Sequence, residues 1–206
     1  MVASSILPVA IKDDKLYFLF GEENDREDSA KGFSDFGGRI EGNEQVVETA
    51  LREGSEELSG FLGNMSQLSE LIKNNGGTMH IYDEKNKYNI HIFYIDYDKN
   101  LPIYYNQNHD FLWTNMDNQL LNDSKLFEKK RIDWFSIEDI KRRKSEFRNF
   151  YQEITELFIK KEQEIYRFLQ NNQKNTNADI NINQTTKKRR NKKMKKRRRT
   201  YSKKEK

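Results

Sequence analysis

Glu53, Glu56 and Glu57 are the residues whose types and spacing could do chemistry. On a helix, offsets of three and four stack their carboxylates on one face. Three like charges that close repel, and only Arg52 is near enough in sequence to offset them, so the cluster is favourable mainly when a cation binds it. A hard divalent ion fits: Mg²⁺ and Mn²⁺ prefer oxygen ligands, keep several waters and are commonly shared between one or two carboxylates and the phosphates of a substrate. On charge pattern alone, a solvated acidic helix face competes with this reading. The glycines upstream, Gly37 and Gly38, tip the comparison toward a site.

A helix must carry these groups. Val47, Ala50, Leu51, Gly54 and Leu58 recur three and four apart as a buried stripe, with the acidic face beside it. Phe33-Ser34-Asp35-Phe36 reads as the strand that delivers the glycines, which puts the acidic face at a strand-to-helix junction.

Gly38, Glu44, Arg52-Glu53 and Glu56-Glu57, preceded by Gly37, resemble the Nudix box of the Nudix hydrolases over residues 37–61. That many fixed residue types at fixed spacing is far more specific than a lone glycine-rich loop. The resemblance implies that Glu53, Glu56 and Glu57 bind Mg²⁺ or Mn²⁺, with the Gly38 carbonyl a further ligand. Arg52 would steer the carboxylates by ion pairing, and Glu44 would support that network or an outer-sphere water. The implied fold is α/β, a Nudix-type α/β/α sandwich with a mixed β-sheet, followed by a C-terminal helical extension and a disordered basic tail. Three departures stand out. Gly54 replaces a bulky aliphatic, Ser59 replaces glycine, and Gly42-Asn43 precede Glu44 where a glycine often directly precedes the first Glu. A mid-helix glycine costs about 1 kcal/mol against Ala, so either a neighbour packs closely at Gly54 or the helix is weak there. Gly60 is the expected C-cap, which would lengthen the helix by one residue.

The chain has 206 residues, 34% hydrophobic and 34% charged, too polar for one wholly compact body. Its net charge of +4 conceals an asymmetry. Residues 187–206 hold 14 of the 37 Lys and Arg and one of the 33 acids, leaving 23 bases against 32 acids in residues 1–186. An acidic body thus carries a basic tail. The absence of cysteine excludes disulfides and thiolate metal sites and is compatible with a reducing compartment. No membrane span or secretion signal is legible, so the expected setting is intracellular, cytoplasmic or nuclear.

In chain order, residues 5–11 and 16–20 form a hairpin signature, and residues 21–31 read as a surface loop. Residues 66–74 suggest a short helix stopped by Asn75-Gly76-Gly77. Residues 78–83 and 88–97 form a second hairpin carrying His80 and His91, read as half-exposed strand residues rather than transition-metal ligands. Residues 101–128 are aromatic and Asn-rich with weak periodicity. Tyr104, Tyr105, His109, Phe111 and Trp113 either fill the core of a poorly regular segment or offer a base-stacking face. The same segment contains Asp110, Asp117, Asp123 and Glu128, and the resemblance implies that one carboxylate from outside the box can act as ligand or base. Residues 132–135 form a strand with Trp134 and Phe135 in the core, and Ser136 caps the helix after it, with Asp139 three residues on. Residues 146–170 hold one or two amphipathic helices that pack on the sheet or on a second copy.

The expected organisation is a Nudix domain over residues 1–145, packed helices over 146–170, and a disordered stretch over 171–206 that is first Asn-rich and then basic. Lys187-Lys188-Arg189-Arg190 and Lys195-Lys196-Arg197-Arg198-Arg199 read as nuclear-localisation or nucleic-acid-binding runs, with a purely solubilising tail as the alternative. RNA held this way would bind strongly at low salt and without sequence preference. The expected activity is metal-dependent cleavage of a diphosphate linkage in a nucleoside-diphosphate compound. The acidic body and basic tail look similar to Nudix enzymes that decap messenger RNA, including those of large DNA viruses. Dinucleoside polyphosphates, nucleotide sugars, oxidised nucleoside triphosphates and inositol pyrophosphates are competing substrates. A non-catalytic nucleotide- or RNA-binding module is the alternative from another class.

Overall fold

The computed structural model describes residues 2–24, 31–124 and 126–173. Strands β1 (Ala3–Lys12) and β2 (Lys15–Glu23) form the first hairpin. Its two turn residues, Asp13 and Asp14, have φ of +49° and +57°. Paired positive φ values suit the twist of a two-residue hairpin, and Asp tolerates them. Residues 21–23, expected in a loop, instead continue β2, paired with β7 on one edge and β3 on the other. Then come β3 (Phe33–Ser34), β4 (Phe36–Arg39), α1 (Val46–Glu57), α2 (Met65–Asn74), β5 (Thr78–Asp83) and β6 (Tyr88–Tyr94). They are followed by α3 (Asn100–Asn115), α4 (Asn118–Ser124), β7 (Lys129–Ser136), α5 (Ile137–Arg142), a 3₁₀ turn (Lys144–Glu146), α6 (Tyr151–Lys160) and a last helix, α7, over 162–173.

Residues 101–128 are therefore two helices rather than an irregular segment. The weak periodicity has a physical source: α3 buries few residues, Pro102 and Tyr105 foremost, and leaves Tyr104 and Phe111 exposed.

The described strands form one mixed sheet. β1 is its axis, pairing parallel with β6 over residues 3–9. Its other edge pairs antiparallel with β4 over residues 3–6 and with β2 over 9–12. β1 and β2 thus splay apart, and β3 and β4 fill the fork. A strand covered on both faces should read as an unbroken apolar run, and Ile6, Leu7, Val9 and Ala10 are all buried.

Helices cover both faces, giving three α/β/α layers. One core joins Phe18, Phe20, Ile90 and Phe135 of the sheet to Phe147, Tyr151, Phe158, Ile165 and Leu169, so α6 and α7 lie on the sheet itself. The Phe20 and Phe147 rings meet edge to face at 5.0 Å, the arrangement aromatic quadrupoles favour. The opposite core joins Ile6, Leu19, Phe36, Phe93 and Trp134 to Ala50, Leu51 and Leu58 of α1, Leu68 and Ile72 of α2, and Tyr105 of α3. Trp134 and Phe135 are core residues on opposite faces, as alternation along a strand requires. Ser136 caps α5, accepting from the Asp139 amide at 3.1 Å while Asp139 accepts from the Ser136 amide. Among the described residues no helix is long and apolar enough to cross a membrane.

Candidate functional site

Gly54 sets the helix against the sheet. A Cβ there would lie 2.3 Å from Ile6 Cδ1 and 2.4 Å from Ile6 Cγ1, so its lack of a side chain lets α1 rest on β1. The departure from a bulky aliphatic is close packing, not local weakness. Ala50, Leu51, Gly54 and Leu58 are buried as the stripe required, but Val47 is half exposed. It lies in the first turn, where it rims a hollow between α1, α2 and β5.

The helix ends earlier than expected. Leu58 is the C-cap, and Ser59, at φ +49°, takes the left-handed position expected of Gly60. The Ser59 amide donates to Glu56 O at 2.8 Å and the Gly60 amide to Ser55 O at 3.1 Å, the two bonds of a Schellman end. Serine also does what glycine could not here: its Oγ accepts from the Phe127 amide at 2.8 Å, tying α1 to the segment before β7.

Arg52 is the hub of the acidic face. Its Nε and Nη2 hold the two oxygens of Glu44 at 2.7 and 3.1 Å. Its Nη1 lies 2.9 Å from Glu53 Oε1 and 3.5 Å from Glu56 Oε2, and Nη2 reaches Arg39 O at 3.3 Å. A planar five-donor fork suits this task in a way an ammonium does not. Arg52 donation, with help from the Thr49 hydroxyl, holds Glu44 down at about 2, and the same pairing raises Arg52. Glu44 is thus an anchor for Arg52, fully ionised at neutral pH. Gly38 lies directly against Glu53: a Cβ at this position would sit 2.4 Å from the carboxyl carbon. Without a side chain, Gly38 leaves the Glu53 carboxylate room to lie against β4.

Glu57 faces inward and is buried. Its Oε2 accepts from the Gly37 amide at 2.8 Å, and its Oε1 lies 3.0 Å from Lys129 Nζ. The Lys129 side chain is itself fully buried, with Nζ 2.5 Å from Glu23 Oε1 and 3.2 Å from Ser34 Oγ. Arg148 Nη1 takes the same Glu23 oxygen at 2.8 Å. Burial pushes Glu57 well above the usual carboxylate range, opposed by Lys129. Burial alone would lower Lys129, but Glu57 and Glu23 outweigh it and hold Lys129 as an ammonium, its pKa raised. The Tyr105 hydroxyl, buried and raised, bridges the carbonyls of Glu57 at 2.9 Å and Lys129 at 3.1 Å.

None of Glu23, Ser34 or Lys129 was marked as functional by sequence pattern, and Tyr105, weighed as a core or base-stacking residue, is fully buried in the core. Lys129 precedes Lys130 and Arg131, so it reads as surface. The one available signal was Gly21 within an apolar strand, a mark of close approach. A Cβ on Gly21 would lie 2.8 Å from Lys129 Cγ. Asp35, between β3 and β4, is also buried and accepts from Ser5 Oγ at 2.5 Å and Tyr88 OH at 2.6 Å. Burial raises it to about 6 despite those bonds.

Other expected candidates lie elsewhere. Asp110 is exposed beside His109. Asp117 accepts from the Gln119 and Leu120 amides, and Asp123 from the Gln119 side chain. Glu128 adjoins Lys129 in the chain. His91 is buried rather than half exposed, stacked on His80 at 5.0 Å, and burial lowers it to about 4. His80 bonds Asn89 instead. The basic runs 187–190 and 195–199, and nearly all of the expected disordered stretch 171–206, lie outside the described residues.

Among the described residues, no three His, Cys, Asp or Glu side chains converge closely enough to hold a metal by themselves. Both Glu57 oxygens are engaged from within. Glu53 and Glu56, gathered by Arg52 with side chains 14% and 34% exposed, form the more accessible pair. Two hard carboxylates fit a hydrated Mg²⁺ or Mn²⁺ that completes its shell with water and substrate phosphate. They do not fit a metal enclosed entirely by protein ligands.

No family model and no curated protein matches the chain. Solved structures similar to it include a C. elegans Ap4A hydrolase binary complex, 16% identical over 77% of this chain and 93% of that one, TM-score 0.44. C. elegans Ap4A hydrolase in a second crystal structure is 14% identical over 78% and 96%, TM-score 0.42. The M. smegmatis Nudix hydrolase RenU is 9% identical over 68% and 74%, TM-score 0.36. With TM-scores below 0.5 these likenesses carry no argument, and the functional reading rests on the residues of the site.

Proposed function

We propose that the chain is a Nudix hydrolase that cleaves a diphosphate linkage in a nucleoside-diphosphate compound with the help of Mg²⁺ or Mn²⁺. The observation that carries this reading is the Arg52 hub, which ties Glu44, just before α1, to Glu53 and Glu56 on α1, beside Gly38, whose missing side chain leaves room for the Glu53 carboxylate. Glu53 and Glu56 would hold the ion from the accessible side, while Glu57 stays engaged with the Gly37 amide and Lys129 on the buried side. When bound, the ion supplies charge neutralisation for adjacent phosphates and acidifies a water.

The chain's own groups do the rest. Arg52 fixes the direction of the two carboxylates while Glu44, ionised at any working pH, fixes Arg52. Positioned charge of this kind carries most of the rate in phosphoryl chemistry. Glu56, the more exposed of the pair, is the proposed acceptor of the water's proton. No carboxylate of α3 or α4 is needed for that role: Asp117 and Asp123 serve local hydrogen bonds.

The substrate proposed within this class is capped RNA, supported by the charge asymmetry between an acidic body and a tail with 14 basic residues in its last 20. A tethered basic segment raises local RNA concentration without adding contacts at the catalytic face. The test is incubation with Mg²⁺ or Mn²⁺ and a panel of capped RNA, dinucleoside polyphosphate, nucleotide sugar and inositol pyrophosphate. Metal-dependent release of a nucleoside diphosphate from capped RNA is expected. Glu56→Gln should lower turnover about 100-fold or more, ~2.7 kcal/mol of barrier, with an unchanged melt. Full activity in that variant, or none by the wild type on any substrate, overturns the reading.

A further inference from the structure

We infer that Lys129 is a cation built into the site: its ammonium, lodged between Glu57 and Glu23, fills a position a second divalent ion would otherwise take, so the substrate-free chain holds one tight divalent ion. This rests on the Nudix reading and concerns how that site is charged.

The chain is shaped around this lysine. Its side chain is fully buried, with carboxylate oxygens at 2.5 and 3.0 Å and a hydroxyl at 3.2 Å, which gives each ammonium proton an acceptor. The stem occupies space that any side chain at residue 21 would take, since a Cβ on Gly21 would lie 2.8 Å from Lys129 Cγ and 2.9 Å from a Phe36 ring carbon. Tyr105 clamps the backbone of Lys129 to that of Glu57 through a single hydroxyl. This arrangement fixes where the positive charge sits relative to the third box carboxylate.

Lys129 contacts both Glu23 and Glu57, and Arg148 contacts Glu23, so the two buried carboxylates already face two cationic side chains. An incoming cation would have to displace a buried ammonium and then leave it without a partner, which is strongly unfavourable. Remove the ammonium, and two inward carboxylates remain with a single guanidinium, that of Arg148, on Glu23. That space then suits a small hard cation and its waters. A merely structural ion pair makes a different forecast: its loss lowers stability and leaves metal binding unchanged.

The experiment counts tight Mn²⁺ sites on the full chain without substrate, by electron paramagnetic resonance of free Mn²⁺, alongside circular dichroism and a thermal melt. One tight site is expected for the wild type and for Lys129→Arg, and two for Lys129→Ala. Should the alanine variant fail to fold, Lys129→Gln, which fills the volume without charge, is expected to gain the same site. Two or more tight sites on the wild type overturn the inference, as does a folded alanine or glutamine variant that gains none. A wild type that binds one Mn²⁺ yet hydrolyses nothing in the panel would sink the Nudix reading alone, because the site count still reads the role of Lys129.

Discussion

Substituting Gly54 by Ala separates two opposed effects of known size. On an isolated helix the change is worth about 1 kcal/mol of stabilisation. Here the new methyl would lie 2.3 and 2.4 Å from Ile6 Cδ1 and Cγ1, well inside contact distance, while Ile6 Cβ stands clear at 3.6 Å. Overpacking of a tight core costs about 1–3 kcal/mol, so Gly54→Ala should come out destabilised by roughly 0–2 kcal/mol after the propensity gain. Ile6→Ala removes both offending atoms and alone should cost about 2–5 kcal/mol. In the double variant the methyl enters the vacated space. The two changes should therefore cost about 1–3 kcal/mol less together than the sum of the singles. Urea unfolding of the four proteins closes this cycle, and metal-dependent hydrolysis should fall in Gly54→Ala and recover in the double variant as α1 settles back beside Gly38. A Gly54→Ala protein that is more stable than wild type by about 1 kcal/mol, with additive singles, would refute close packing as the reason for this glycine.

Arg52→Lys keeps the charge but cannot reach Glu44, Glu53 and the Arg39 carbonyl together. Turnover should drop about 10-fold or more while the melt moves little, since partly exposed pairs contribute about 1 kcal/mol or less; equal kcat values would discount the hub. Asp35 holds its proton to about 6 in the folded chain against 3.8 ordinarily. A raised acid contributes stability that is complete below the unfolded pKa and lost as pH rises through 6. That loss amounts to about 3 kcal/mol for this buried group. Asp35→Asn should remove this dependence, so the difference between variant and wild type in urea should change by about 2 kcal/mol between pH 4.5 and 7.5; a constant difference would contradict it. Deleting residues 187–206 should weaken capped-RNA cleavage at low salt and flatten its salt dependence while leaving cleavage of a small diphosphate substrate intact; unchanged RNA cleavage across salt would end the tether idea.

Local pattern carried a good deal of this protein. The 3.6-residue spacing of Ala50, Leu51, Gly54 and Leu58 located α1 and its inner face, and alternation with turn residues located both hairpins. Capping chemistry located α5, because Ser136 and Asp139 satisfy each other's backbone amides over three residues. Such features are set by neighbours within one or two turns, so the linear order of residues contains them. The segment 101–128 escaped because α3 buries so few residues that no stripe forms, and the end of α1 escaped because Ser59 can adopt a backbone that glycine usually takes.

The inner half of the site belongs to tertiary structure. Lys129 lies 106 residues from Glu23 and 72 from Glu57, and between Glu128 and Lys130 it looks like any other charge on a surface strand. Only the fork between β1 and β2, filled by β3 and β4, brings Glu23, Ser34 and Gly37 to the buried end of α1. Pairing within one helix is decided by spacing, so the Arg52 cluster could be anticipated. Burial of a charge is decided by what the rest of the chain packs over it, and no run of consecutive residues records that.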